Sequence, residues 1–267
     1  MNVTPLDERA PRISRTACIA IFTLVCVVAA LLWPAVPQPL SYHAFVDRRA
    51  LLDIPNFFDV VSNIGFVVPG AIGIFVVLRR ATVFEHPLER LPYLVFFLGM
   101  LLTAAGSAYY HLDPDNERLF WDRLPMTIAF MSLLAVLIAE RSDVRMSLVL
   151  LAPLLLMGAA SVVYWRITER AAAGNVIPYG ILQGYAIVIL LLIAVLLPSR
   201  YTRARDIFWV CAWYGVAKLL EALDAQIFAL GQLLSGHTLK HLAAGAAGLV
   251  ICRTLSVRTL ESASRVG

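Results

Sequence analysis

The chain has 267 residues, of which 60% are apolar and only 15% charged, with a mean hydropathy of +0.78. Water-soluble globules are typically about 45–50% apolar, so this composition excludes a soluble domain and indicates an integral membrane protein. A formal charge of +4 and a pI near 9.0 do not point to nucleic acid, because the basic residues fall in loops between apolar runs, where membrane topology already accounts for them.

The apolar runs predict eight spanning helices, at 16–35, 57–79, 91–111, 121–139, 147–165, 177–197, 206–230 and 236–254, against the roughly 20 residues needed to cross the hydrocarbon. No alternating pattern of the kind a membrane barrel requires is present. The expected fold is therefore all-α: a polytopic membrane bundle forming one domain over 1–267. The first run follows Arg9, Arg12 and Arg15 and resembles a signal peptide. It is followed by Pro34 and Pro37 rather than a small-x-small cleavage site, which predicts a retained helix. Cys18, Cys26, Cys211 and Cys252 lie within apolar runs without CxxC spacing, and are read as buried small residues, not disulfides.

Arginines set the expected orientation. One set of loops carries Arg9, Arg12, Arg15, Arg79, Arg80, Arg90, Arg141, Arg145, Arg200, Arg203, Arg205, Arg253, Arg258 and Arg265; the other carries Arg48, Arg49, Arg118, Arg123, Arg166 and Arg170. The richer set is expected to be cytoplasmic, placing both termini there, as an even number of spans requires.

The last run opens with Gly236-His-Thr-Leu-Lys-His241. Residues four apart stack on one helix face, so His237 and His241 can present two imidazoles to one point. The third span ends in Ser107-Ala-Tyr-Tyr-His111, and Asp122 follows eleven residues later in Trp121-Asp-Arg-Leu-Pro-Met126. The topology brings all five groups to one depth near the non-cytoplasmic face. Three imidazoles with an open position suit a catalytic Zn²⁺, whose water then has a pKa of about 7. Asp122 would serve as general base and then acid, and Ser107 would bond the nucleophile or the developing oxyanion. Such a site would hydrolyse an amide or ester of a lipid entering sideways from the bilayer.

Other polar residues inside spans have structural expectations as well. Lys218 and Glu221, three apart, suit an ion pair, while Asp224, or Glu221, could accept the ring N–H of a ligating histidine. Ser62 and Asn63 are expected to bond between helices near the pocket. Trp33, Tyr42, Trp121, Tyr164, Trp165 and Tyr179 lie near span ends, as interfacial anchors do. Gly245 and Gly248 provide a small-residue face for close packing of the last helix. His43 and His86 lie in loops on opposite sides, and neither is expected to complete the metal site.

Ser-x3-His, the Asp with its following Leu-Pro-Met, the His-x3-His of the last helix and the segment Asn56-Phe-Phe-Asp-Val-Val-Ser-Asn63 together resemble the alkaline ceramidase family, within a superfamily that includes adiponectin-receptor-like and Per1-type proteins. The resemblance covers about 45–254. It implies a seven-helix core formed by spans two to eight, with span one additional. It also implies zinc on His111, His237 and His241, assistance from Asp122 and Ser107, and hydrolysis of ceramide to a sphingoid base and a fatty acid. Eukaryotic members carry a calcium site before the first core helix. Of its oxygen side chains only Asp47 and Asn56 have counterparts here, too few anionic groups for a cation that takes 6–8 oxygens, so calcium dependence is not expected. Asp47 and Asn56 are instead expected to tie the external loop to helix ends, Asn56 as a cap for the helix beginning at Phe57. Short loops suggest a bacterial inner membrane. Two other readings use the same residues: a receptor-like module that binds lipid and metal, and a proton-coupled transporter with a histidine relay.

Overall fold

The computed structural model describes residues 14–80 and 83–261; Arg9, Arg12 and Arg265 lie outside them. Every run expected to be helical is helical: α1 (Arg15–Leu32), α2 (Phe57–Val61), α3 (Ile64–Arg79), α4 (Arg90–Leu112), α5 (Asn116–Arg141), α6 (Val144–Arg170), α7 (Ile177–Leu196), α8 (Asp206–Ala222), α9 (Asp224–Ala229) and α10 (Gly236–Val257). The second and seventh expected spans are each two helices. Six helical segments are long and apolar enough to cross a membrane, among them Phe57–Arg79 taken as a unit. α8 and α10 are not among the six: α8 stops at 17 residues, and α10 carries the polar Gly236–His241 turn. This is a polytopic helical bundle and an integral membrane protein. Its surface agrees, since Leu31, Phe75, Leu156, Val195 and Trp209 all stand exposed, an apolar exterior that water would not tolerate and lipid does.

Short connections fix the neighbours. Three residues separate α4 from α5 and two separate α5 from α6, which makes each pair antiparallel and adjacent. The Asp115 and Asp143 carboxylates accept from the N–H groups of Arg118 and Met146, satisfying donors that a helix start leaves open. Contacts run α10–α3–α4–α5–α7–α8 and back to α10, a closed ring, with α6 against α5 and α7 and α1 against α7.

Two close approaches seat the polar residues. A Cβ at Gly245 would lie 2.0 Å from the Gly65 carbonyl oxygen, and one at Gly65 would lie 2.9 Å from that of His241, so α3 and α10 touch backbone to backbone beside His241. At Gly106 a Cβ would lie 1.9 Å from the Trp121 carbonyl oxygen, so α4 and α5 touch where Ser107 and Asp122 follow in sequence. The small-residue face expected on α10 is thus used for packing. At the opposite end of the ring, Arg258 bonds Glu140 and the Tyr93 hydroxyl, and Tyr201 bonds Glu89, tying α4, α5, the α7–α8 loop and the end of α10 together.

The expected aromatic belt is only partly present. Trp33, Trp121 and Tyr164 are exposed, as anchors would be. Trp165 and Tyr179 are buried, because their rings close on the guanidinium of Arg123, 4.4 and 4.8 Å from the two ring centroids. Tyr42 also faces it, at 5.4 Å.

Candidate metal centre

α10 begins where Ser235 accepts from the Thr238 N–H at 3.0 Å and Asp224 accepts from the His237 N–H at 2.7 Å. These two caps fix the first turn, from which His237 and His241 project. Across the ring, the end of α4 supplies His111, whose carbonyl accepts from the Asn56 amide at 2.8 Å. All three histidines are buried, and one ligand atom from each lies within 4.8 Å of the others. The Nε2 atoms of His111 and His237 are 3.3 Å apart. Two nitrogens on a tetrahedral Zn²⁺, each about 2.0–2.1 Å from it, would be about 3.3–3.4 Å apart.

The tautomer of His241 is tied to its partners. Ser62 Oγ lies 2.8 Å from His241 Nδ1 and 3.1 Å from the Asp59 carbonyl oxygen; ligation of a metal through Nε2 requires the hydroxyl to accept from Nδ1–H and donate to that carbonyl. The same carbonyl also faces this imidazole. In that arrangement Nδ1 carries the proton and Nε2 presents a lone pair. Phe45 lies against His111 and His237, with ring centroids 4.7 and 4.6 Å away, closing the imidazoles off from the loop side. His111 Nδ1 is buried without a partner. The donor set, its spacing and the Ser62 bond fit a divalent transition metal favoured by imidazole.

Ser107 and Asp122 lie within hydrogen-bonding reach of each other and, with His241, line a cavity of about 280 Å³ at the centre of the ring. Ser107 is 1% exposed; Asp122 is half-buried. The expected Lys218–Glu221 pair is present, and Glu221 also accepts from Lys240 at 2.7 Å. Ser107, Asp122 and His241 thus line one cavity, and His111 and His237 adjoin it through their cluster with His241.

Several other residues have partners that the sequence did not name. Asp224 bonds the backbone of His237 rather than a ring nitrogen, and Glu221 is taken up by two lysines. Asn56 adopts φ 47° and makes no side-chain cap bond, because its amide is turned to the His111 carbonyl. Asp47 is bound by Arg49 at 2.8 and 2.6 Å; burial raises its pKa, yet these bonds outweigh it and hold the carboxyl below the usual carboxylate range. Asp47 belongs to no group of three or more His, Cys, Asp or Glu close enough to share a metal among the described residues. His43 bonds Tyr110 and Asn116, outside the histidine group. Sequence reading placed Ser62 near the pocket but did not link it to His241, and it gave no role to Asp59 or Lys240.

A search of curated proteins and a search of solved structures returned no match. A family model described as Ceramidase matches residues 52–265, beginning after α1 and taking in Ser62, Ser107, His111, Asp122, His237 and His241. The match spans most of the chain and carries with it a hydrolase acting on the amide bond of a lipid in the membrane: the chain belongs to the ceramidase family.

Proposed function

We propose that this protein is a zinc-dependent intramembrane amidase that hydrolyses ceramide, or a ceramide-like N-acyl lipid, to a sphingoid base or amine and a free fatty acid. The observation that carries the reading is the convergence of His111, His237 and His241 beside the Ser107–Asp122 cavity. Zn²⁺ held by these three imidazoles would supply an activated water and polarise the scissile carbonyl.

The remaining work falls to the chain. Asp122 accepts the proton released as water adds to the carbonyl carbon, then returns it to the nitrogen as the C–N bond breaks, so the products are an amine and a carboxylic acid. Ser107, within reach of Asp122, orients that carboxylate toward the cavity. Ser62 keeps His241 in the tautomer that leaves Nε2 free. The mostly apolar cavity, walled by α4, α5, α7, α8 and α10, would take the acyl chain of a lipid arriving from the bilayer.

The arginine distribution supports cytoplasmic termini with the site toward the opposite face, and the short loops favour the inner membrane of a bacterium, with the site toward the periplasm. The test is turnover of a fluorescent ceramide by detergent-purified protein. Wild type should hydrolyse it and lose activity to a strong chelator. Asp122→Asn should lower kcat by about 10²–10⁴-fold while keeping its metal. Full turnover by Asp122→Asn would remove Asp122 from the mechanism.

A further inference from the structure

Arg123 follows Asp122 on α5 and is 5% exposed, yet it forms no ion pair among the described residues. Its one hydrogen-bond partner is neutral: Nη2 donates to Gln38 Oε1 at 2.6 Å. Nη1 is buried without a partner. Trp165, Tyr179 and Tyr42 surround the guanidinium, and rings hold a cation in place without neutralising it. A buried guanidinium left short of a bidentate acceptor is an unusual arrangement, because its planar fork matches a carboxylate or phosphate.

Arg123 lines the same cavity as Ser107, Asp122 and His241. The cavity's other charged groups do not balance it. Lys218 and Lys240 share Glu221, and Asp122, the other carboxylate, feels both Lys240 and Arg123 without an ion pair to either, leaving three cations against two carboxylates. Gln38 reaches Arg123 from the loop, and Gln183 bonds the Tyr179 hydroxyl at 2.7 Å, so this side of the cavity is polar and suits a headgroup more than an acyl chain.

Resting on the amidase reading, we propose that Arg123 is a specificity-determining residue that receives an anionic oxygen group on the headgroup of the N-acyl lipid. The preferred substrates are then lipids carrying a carboxylate or phosphate close to the scissile amide, and neutral ceramide is the poorer one.

The test compares ceramide, ceramide 1-phosphate and N-palmitoylserine as substrates of wild type, Arg123→Gln and Arg123→Lys. In wild type, kcat/KM for at least one anionic probe should exceed that for ceramide by about tenfold, and the two anionic probes tell phosphate from carboxylate. Arg123→Gln should cut this anionic-over-neutral ratio by about tenfold, and Arg123→Lys, which keeps the charge but loses the fork, should retain part of it. A wild-type enzyme that turns over ceramide as well as either anionic probe would overturn the proposal. So would a parallel loss on all three probes in both variants, which would make Arg123 a packing residue. A binding arm separates this inference from the reading beneath it: affinities of the same lipids for Asp122→Asn protein in nanodiscs, with and without Arg123→Gln. If wild type hydrolyses no probe, the amidase reading fails, and the binding ratio still decides whether Arg123 selects anions.

Discussion

His241 can ligate through Nε2 only while its proton stays on Nδ1, and Ser62 is the side chain that keeps it there, 179 residues away in sequence. Removing such an acceptor costs about 10–100-fold in metal affinity. Because the Asp59 carbonyl would remain as a second acceptor, Ser62→Ala should weaken zinc binding by about tenfold, read by competition with a chromogenic chelator; unchanged affinity would show that the carbonyl alone sets the tautomer. The histidines themselves were legible from sequence because four-residue spacing fixes a face without any knowledge of tertiary contacts. Ser62 was only placed near them and Arg123 counted only as a loop charge. The partner of each is on another helix or loop, and no local pattern encodes a contact across the ring. Asp224 and Asn56 illustrate the same limit: each lies where expected, but its side chain meets a backbone group of a different segment.

At the scale of elements, the metal-capable cluster depends on α3 and α10 lying backbone to backbone at Gly65 and Gly245. Side chains at this contact have no room to rotate away, since the obstacle is a carbonyl oxygen 2.0 Å from the added atom. Gly245→Val should therefore displace α10, lowering stability by about 1–3 kcal/mol and reducing zinc content, as read by melting in detergent and by elemental analysis. A variant that melts and loads zinc like wild type would show that the helices separate freely. The glycine face was visible in the sequence as a spacing of small residues. The breaks between α2 and α3 and between α8 and α9 were not, because the polar residues that mark them, Ser62-Asn63 and Glu221 with Asp224, were absorbed into spans defined by average hydropathy.

For the whole molecule, composition alone settled membrane residence and helix over barrel, and the order of helical segments follows the hydropathy pattern. What composition overestimated was the apolarity of α8 and α10, which carry polar groups of the cavity on one side while Trp209, Leu219 and Leu249 stand exposed on the other. Orientation rests on arginine counts and is checked by reporter fusions. Green fluorescent protein should fluoresce at either terminus and alkaline phosphatase should be inactive at both; the reverse pattern would invert the bundle and move the histidines to the cytoplasmic side.

The central claim is that α4 and α10 share one metal, and the most direct measurement is the metal content of purified protein, compared with His111→Ala and His237→Ala. About one zinc per chain in wild type, lost in both variants while each still elutes as folded protein, is the expected result. Wild type prepared without chelators that carries no stoichiometric metal, or zinc that persists in both variants, would contradict it.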